Sequence, residues 1–136
     1  MLSIWEGTTN ILSLDALRAM ERSDVLSVWA ADVRSRLSGV RLAGLSSSVE
    51  QTLKAVQRIE QYATRAQSAG TEFQQAGARG FAFAIARTEA ATLLAEQANT
   101  LGDLAAVTSA WRWCARELAP LAEADAEHRA GSIALQ

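Results

Sequence analysis

The sequence predicts an all-α protein, an antiparallel helical bundle of about five helices, and three observations carry that reading. A single proline, Pro120, and eight glycines leave few forced breaks in 136 residues. Ala, Leu, Arg, Glu and Gln, which lose little on entering a helix, are abundant throughout. Apolar residues recur at steps of three and four, the period of a helix face, and strand patterns are nearly absent. With 49% hydrophobic and 21% charged residues, a chain of this length builds one core and stays dissolved.

The first helix is expected to start at Thr8 or Thr9, whose hydroxyls can cap free amides, and carries Ile11, Leu14, Leu17 and Met20 at three-residue steps. Ser23 is placed to cap a second helix with Val25, Trp29, Val33 and Leu37 on one face. A connection follows from Gly39 to Gly44. Ser47-Ser48-Val49-Glu50 has the spacing of a capping box and opens a third helix with Val49, Leu53, Val56, Ala63 and Ala66 as its inner stripe. Gly70 reads as a left-handed stop, and Thr71-Glu72-Phe73-Gln74 repeats the capping-box spacing at once, so the third and fourth helices should lie antiparallel.

The fourth helix, about Glu72–Asn99, is the most apolar and is expected at the centre of the bundle. Ala78, Ala82, Ala86 and Ala90 form a row of small side chains for close helix approach, with Phe81 and Ile85 as bulk beside it. Gly102-Asp103 supplies a break and a cap. Leu104, Val107, Trp111, Cys114 and Leu118 then give the stripe of a fifth helix ending before Pro120. Leu121–Gln136 reads as a short helix or frayed tail.

Most chemistry is argued against by inventory. One His and one Cys do not make a metal centre, and Cys114 on an apolar stripe reads as a packing residue. His128 reads equally as a surface side chain, and no nucleophile-elbow pattern is present. Gly77-Ala78-Arg79-Gly80 sits inside a helical pattern, so its glycines fit close packing better than a phosphate cradle. Arg34, Arg36 and Arg41 read as a solvated helix face in preference to an anion site. Trp111 and Trp113 with Arg112 and Arg116 offer a stacking surface for a base or adenine ring, yet Trp111 belongs to the core stripe, whereas Trp113 points off it and is left unassigned. A net charge of −2 and a pI near 5.4 argue against nucleic acid as a partner. There is no signal peptide pattern and no apolar run of spanning length.

Ile4-Trp5-Glu6-Gly7-Thr8-Thr9-Asn10 stands apart, with an aromatic, a carboxylate and a glycine placed directly before a helix start. A carboxylate against an aromatic wall, once water is excluded, has its pKa raised toward a value useful for removing a carbon-bound proton. The amides of the helix start beside it suit a phosphate-bearing cofactor. On residue chemistry alone, an aromatic staple, a glycine turn and a capped helix explain the same segment.

Extended through Ile11-Leu12-Ser13-Leu14-Asp15-Ala16-Leu17-Arg18, the segment resembles the aromatic-Glu-Gly-Thr signature and last catalytic-domain helix of acyl-CoA dehydrogenases. It looks most like the branch holding AidB-like and member-eleven-like proteins. Ala78-Arg79-Gly80-Phe81-Ala82-Phe83-Ala84-Ile85-Ala86-Arg87 and Trp111-Arg112-Trp113-Cys114 resemble the helical region that follows the catalytic domain there. The resemblance implies residues 1–22 as the end of the catalytic helical domain and 23–136 as a trailing bundle. It implies Glu6 as the base that takes the α-proton of an acyl-CoA thioester while a hydride leaves the β-carbon for FAD. Gly7, Thr8 and Asn10 match positions near that cofactor, Asn10 standing where many members have Gln.

The flavin and thioester sites of such a protein would lie mostly upstream, so this chain is expected to bind no FAD and turn nothing over alone. Its expected partners are the remainder of the dehydrogenase chain and further copies in a homo-oligomer. Its expected location is intracellular, cytoplasmic or mitochondrial. The competing reading is a helical interaction or oligomerisation module, with contact to lipid or nucleic acid as a variant.

Overall fold

The computed structural model describes residues 11–19 and 24–121, and all the regular elements among them are helical. Helix α1 covers residues 11–19, α2 is Val25–Ser38, a 3₁₀ turn spans Ala43–Leu45, α3 is Ser46–Ala69, α4 is Thr71–Leu101 and α5 is Leu104–Cys114. The predicted all-α bundle is what forms. The expected cap at Thr8 or Thr9, Met20, the cap at Ser23, and His128 lie outside the described residues.

Asp24 precedes α2, and its carbonyl accepts both the Val28 amide and the Ser27 hydroxyl at 2.8 Å. Ala30, Val33 and Leu37 are buried on the face the sequence indicates, while Val25 at its start is exposed. The connection after Gly39 is fastened by α4: Asn99 Oδ1 accepts the backbone amides of Arg41 at 2.9 Å and Leu42 at 3.1 Å.

Neither capping box forms. Helix α3 runs straight on from the 3₁₀ turn, which already supplies acceptors for its first amides, so Ser48 lies inside the helix, fully buried, and Glu50 pairs with Lys54 instead. At the next start, Gln74 donates its side-chain amide to the Ala66 carbonyl of α3 at 3.1 Å. The Gly70 turn (φ 90°, ψ 174°) does adopt positive φ, but with an extended ψ. One residue between two long helices forces a hairpin. Tyr62 stacks on Phe73 and Phe81, and further from the turn Val56 joins Ala95, so α3 and α4 run antiparallel.

Helix α4 is central and packs against α2, α3 and α5. Its buried side is Ala78, Phe81, Ala84, Thr88, Ala91, Thr92, Ala95 and Ala98, so of the predicted alanine row only Ala78 is fully inside, with Ala82 and Ala90 half-buried. Steps of four advance about 400° per turn of the row, so the row drifts roughly 40° each time. By Ala86 it faces solvent. The inner face of α3 is likewise displaced: Leu53 is exposed, while Thr52, Ala55, Ile59 and Tyr62 join Val56, Ala63 and Ala66 inside.

Helix α5 starts as predicted. Gly102 takes the left-handed conformation (φ 67°), and the Asp103 carboxylate accepts the Ala106 amide at 2.7 Å. Asp103→Ala should cost about 1 kcal/mol, as cap removals do; an unchanged urea midpoint would count against the cap. The predicted stripe is wrong at its outer members: Leu104 is 81% exposed and Trp111 54%, while Ala110 and Cys114 face inward. The helix also ends at Cys114, before the expected Leu118. The following turn carries Leu118, Ala119 and Leu121 back into the core with Phe81 and Ile59.

Candidate functional site

Glu6, Gly7, Thr8 and Asn10 lie outside the described residues, so the geometry begins one residue later, with α1. Leu17 is 3% exposed and Ser13 5%, and Leu17 joins the core that also holds Ile59, Phe81 and Cys114. Through this contact the helix that follows the Glu6 motif is seated on the bundle. Its outer side carries Ile11 and Leu12, both exposed, and an Asp15–Arg18 pair.

Two of the three arginines weighed as an anion site, Arg34 and Arg36, are engaged by carboxylates, while Arg41 is exposed. Arg34 makes a two-pronged contact with Glu60 of α3, with one bond at 3.1 Å. Arg36 grips Glu96 through Nε at 3.0 Å and Nη2 at 2.7 Å, and reaches Glu89 at 2.6 Å and Asp32 at 3.3 Å. Trp29 adds its indole N–H to Glu89 at 3.1 Å. Arg34 and Arg41 lie on the exposed surface the sequence predicts, whereas Arg36 is the centre of a partly buried network that ties α2 to α4 across the sequence. The sequence concealed it because the partners are more than fifty residues apart.

The network has a pH signature. Hydrogen bonding to Arg36 holds the Glu96 carboxyl below the ordinary 4.5, and the opposing desolvation is the smaller effect. A depressed carboxyl contributes stability that is complete above its unfolded value and lost as pH falls through its folded value. Arg36→Met should therefore cost about 1–2 kcal/mol at pH 7, since three carboxylates lose their shared cation in a partly solvated setting. Urea unfolding should show that gap narrowing as pH falls below the ordinary carboxyl value, because the lowered Glu96 group is then protonated in the folded state as well. A gap independent of pH would point to lost packing instead.

A cleft of about 450 Å³ opens between α3 and the end of α5, with Gln51, Trp111, Cys114 and Arg116 among its walls. Cys114 is 4% exposed, and burial pushes its thiol above the ordinary range, against a weaker opposing effect of the Thr52 hydroxyl 3.8 Å away. A thiol so placed is mostly protonated and packs rather than attacks. The adjacent Glu117 is engaged by Arg58 at 2.9 Å. The cleft thus brings together no activated nucleophile and base. The fully buried Ser48 hydroxyl also opposes the shift of the Cys114 thiol weakly, although it makes no hydrogen bond of normal geometry.

Trp113, unplaced by sequence, donates its indole N–H to the Arg87 carbonyl of α4 at 3.0 Å. Beside it, Arg79 and Arg87 lie over the Phe83 ring. Among the described residues no group of three His, Cys, Asp or Glu side chains could hold a metal, and no helix is long and apolar enough to cross a membrane. The described residues also form no buried cationic cradle suited to a flavin's phosphates, since the partly buried Arg36 is committed to carboxylates.

The family described as "Acyl-CoA dehydrogenase 11 C-terminal domain-like" matches residues 24–135. The chain is also similar to "Acyl-CoA dehydrogenase family member 11" of Caenorhabditis elegans, at 30% identity over 122 residues, which is 84% of this chain and 20% of that protein. It therefore spans about a fifth of the length of the curated relative it matches. No solved structure matches it. The match to the family begins at α2 and runs through the whole bundle, and on that ground the chain belongs to the acyl-CoA dehydrogenase 11 C-terminal domain-like family.

Proposed function

We propose that this chain is the C-terminal part of a flavin-dependent acyl-CoA dehydrogenase-like protein and is inactive by itself. The observation that carries the reading is that the match covers 84% of this chain but only 20% of a relative whose name is that of an acyl-CoA dehydrogenase. In this reading residues 1–22 end the catalytic helical domain, and 23–136 form the trailing bundle that braces it in an intracellular protein. Glu6 takes the α-proton of the acyl-CoA thioester, and Gly7, Thr8 and Asn10 lie near the cofactor. FAD, bound by the full-length protein, supplies the hydride acceptor. The packing of α1 through Leu17 supports a structural link between the motif and the bundle.

The test uses the full-length protein. Adding an acyl-CoA under anaerobic conditions should bleach the flavin absorbance, and Glu6→Gln should retain the flavin but lose the bleaching. Bleaching at full rate in that variant would remove Glu6 from the role of base.

The interaction-module reading draws support from one feature, the apolar residues Leu101, Leu104 and Trp111 left exposed around α5. It is compatible with the first reading, because such a surface suits packing on the catalytic part or on a second subunit. Sedimentation of the full-length protein with Leu104→Glu/Trp111→Glu separates the cases: a loss of assembly with flavin bleaching intact assigns the face to subunit contact.

A further inference from the structure

Periodicity puts Trp111 in the core, yet its indole is 54% exposed and forms one wall of the cleft of about 450 Å³ between α3 and the end of α5. That volume lies within the range of small-molecule sites, about 300–1,000 Å³. An aromatic ring lining a concave surface can take a flat ligand against its face while the other wall encloses it. The other wall is α3, where Ser47 and Gln51 stand four residues apart on one side of the helix.

The polar groups of the cleft divide into committed and uncommitted ones. Glu117 is held by Arg58 at 2.9 Å, and the buried Cys114 thiol sits 3.8 Å from the Thr52 hydroxyl. The side chains of Ser47, Gln51 and Arg116 are exposed and make no hydrogen bond or ion pair among the described residues. The lining thus offers a guanidinium without a carboxylate, an amide that donates and accepts, a hydroxyl and an aromatic face. Charge and shape select what fits them. A guanidinium fork meets a planar carboxylate in two parallel bonds, charge for charge. A phosphate monoester, with about two charges at pH 7, would set its second charge near Glu117 with no further uncommitted cation in the lining. Trp111 favours a flat ring, offset over the indole. Gln51 and Ser47 supply donors for the carboxylate lone pairs that the guanidinium leaves.

We propose that this cleft binds a small aromatic carboxylate, its ring stacked on Trp111 and its carboxylate paired with Arg116. The site binds without transforming, because it assembles no activated nucleophile and base. The inference goes beyond the dehydrogenase reading and does not depend on it.

The test titrates the 136-residue chain with naphthoate and follows the Trp111 indole N–H, the Gln51 side-chain amide and the backbone amides of residues 115–117 by nuclear magnetic resonance. A saturable shift of these signals is expected. Naphthylmethanol keeps the ring without the charge and acetate keeps the charge without the ring, and both should bind more weakly. Arg116→Gln should weaken naphthoate binding about tenfold, as the loss of a charge-assisted pair does. Trp111→Ala should weaken it about fivefold, the size of a stacking contact. Both side chains are exposed, so neither change removes core packing. Arg79→Gln, on α4, should change nothing. Absence of a saturable shift overturns the proposal, and so does equal affinity in the parent and Arg116→Gln chains. Shifts centred on residues 79–87 overturn it by placing the anion on the Phe83 face. Tighter binding of adenosine monophosphate than of naphthoate also overturns it, because the ligand is then a phosphate.

Discussion

Phe81→Ala should lower the unfolding free energy by about 3–5 kcal/mol, the range for deleting a buried aromatic ring. Phe81 is fully buried and stacks on Tyr62 at 5.7 Å between ring centres. It lies in the cluster where Ile59 of α3, Leu17 of α1 and Leu118 beyond α5 converge. Its removal opens a void at the meeting point of four segments, none of which can close it without losing contact with another. A fall in the urea midpoint at unchanged slope is the expected reading. Phe81→Leu, which keeps most of the volume, should recover much of the loss. A cost below about 1 kcal/mol for the alanine variant would mean that the cluster collapses freely onto the site.

That cluster also shows what sequence periodicity could and could not reveal. Phe81, Val33, Leu37 and Val56 were legible because large apolar side chains at helical spacing have few alternatives to burial. The inner faces of α3 and α4 were misread because four of their buried members are polar: Ser48, Thr52, Thr88 and Thr92. Each threonine donates its hydroxyl to the carbonyl four residues back, Thr52 to Ser48, Thr88 to Ala84 and Thr92 to Thr88. A threonine satisfied within its own helix packs much as valine does. A hydrophobic count scores it as surface and shifts the inferred stripe toward Leu53 and the Ala82–Ala86 row. On α5 the same error appears in reverse, because Ala110 is small enough to bring the helix close while Trp111 and Leu104 remain outside.

The candidate site divides in another way. The Glu6 motif was visible because its residues are contiguous, and the helix following it is seated on the bundle as a continuous chain requires. The Arg36 network, the Trp113–Arg87 bond and the exposed Arg79–Phe83–Arg87 face were not assigned in advance. The first two depend on residues brought together from separate helices, and single-sequence spacing carries no signal for such pairs. The third is periodic, at four-residue steps, but its members look like an ordinary mixed helix until the core side of α4 is known.

Gly77→Ala tests a close approach of α4 to α3, and its sign is opposite to the one helix propensity gives. In a helix interior alanine is favoured over glycine by about 1 kcal/mol. Here an added Cβ would stand 1.4 Å from Tyr62 Oη and 2.7 Å from Cζ, so the ring or one helix must move. The ring cannot swing aside, since Phe73 and Phe81 stack on it at 5.4 and 5.7 Å and Tyr62 is 3% exposed. Overpacking against a held ring costs about 1–3 kcal/mol or more, so a net loss of about 2 kcal/mol is expected. Tyr62→Phe leaves Cζ in place and should relieve the strain only in part. In a Tyr62→Leu background the obstruction is gone, and the same Gly77→Ala change should become neutral or stabilising. Tyr62 and Gly77 would then show a coupling of about 3 kcal/mol in a double-mutant cycle. An equal cost in both backgrounds would place the effect elsewhere, whereas a reversal would identify Gly77 as the residue that lets α4 close on α3 just after the Gly70 turn.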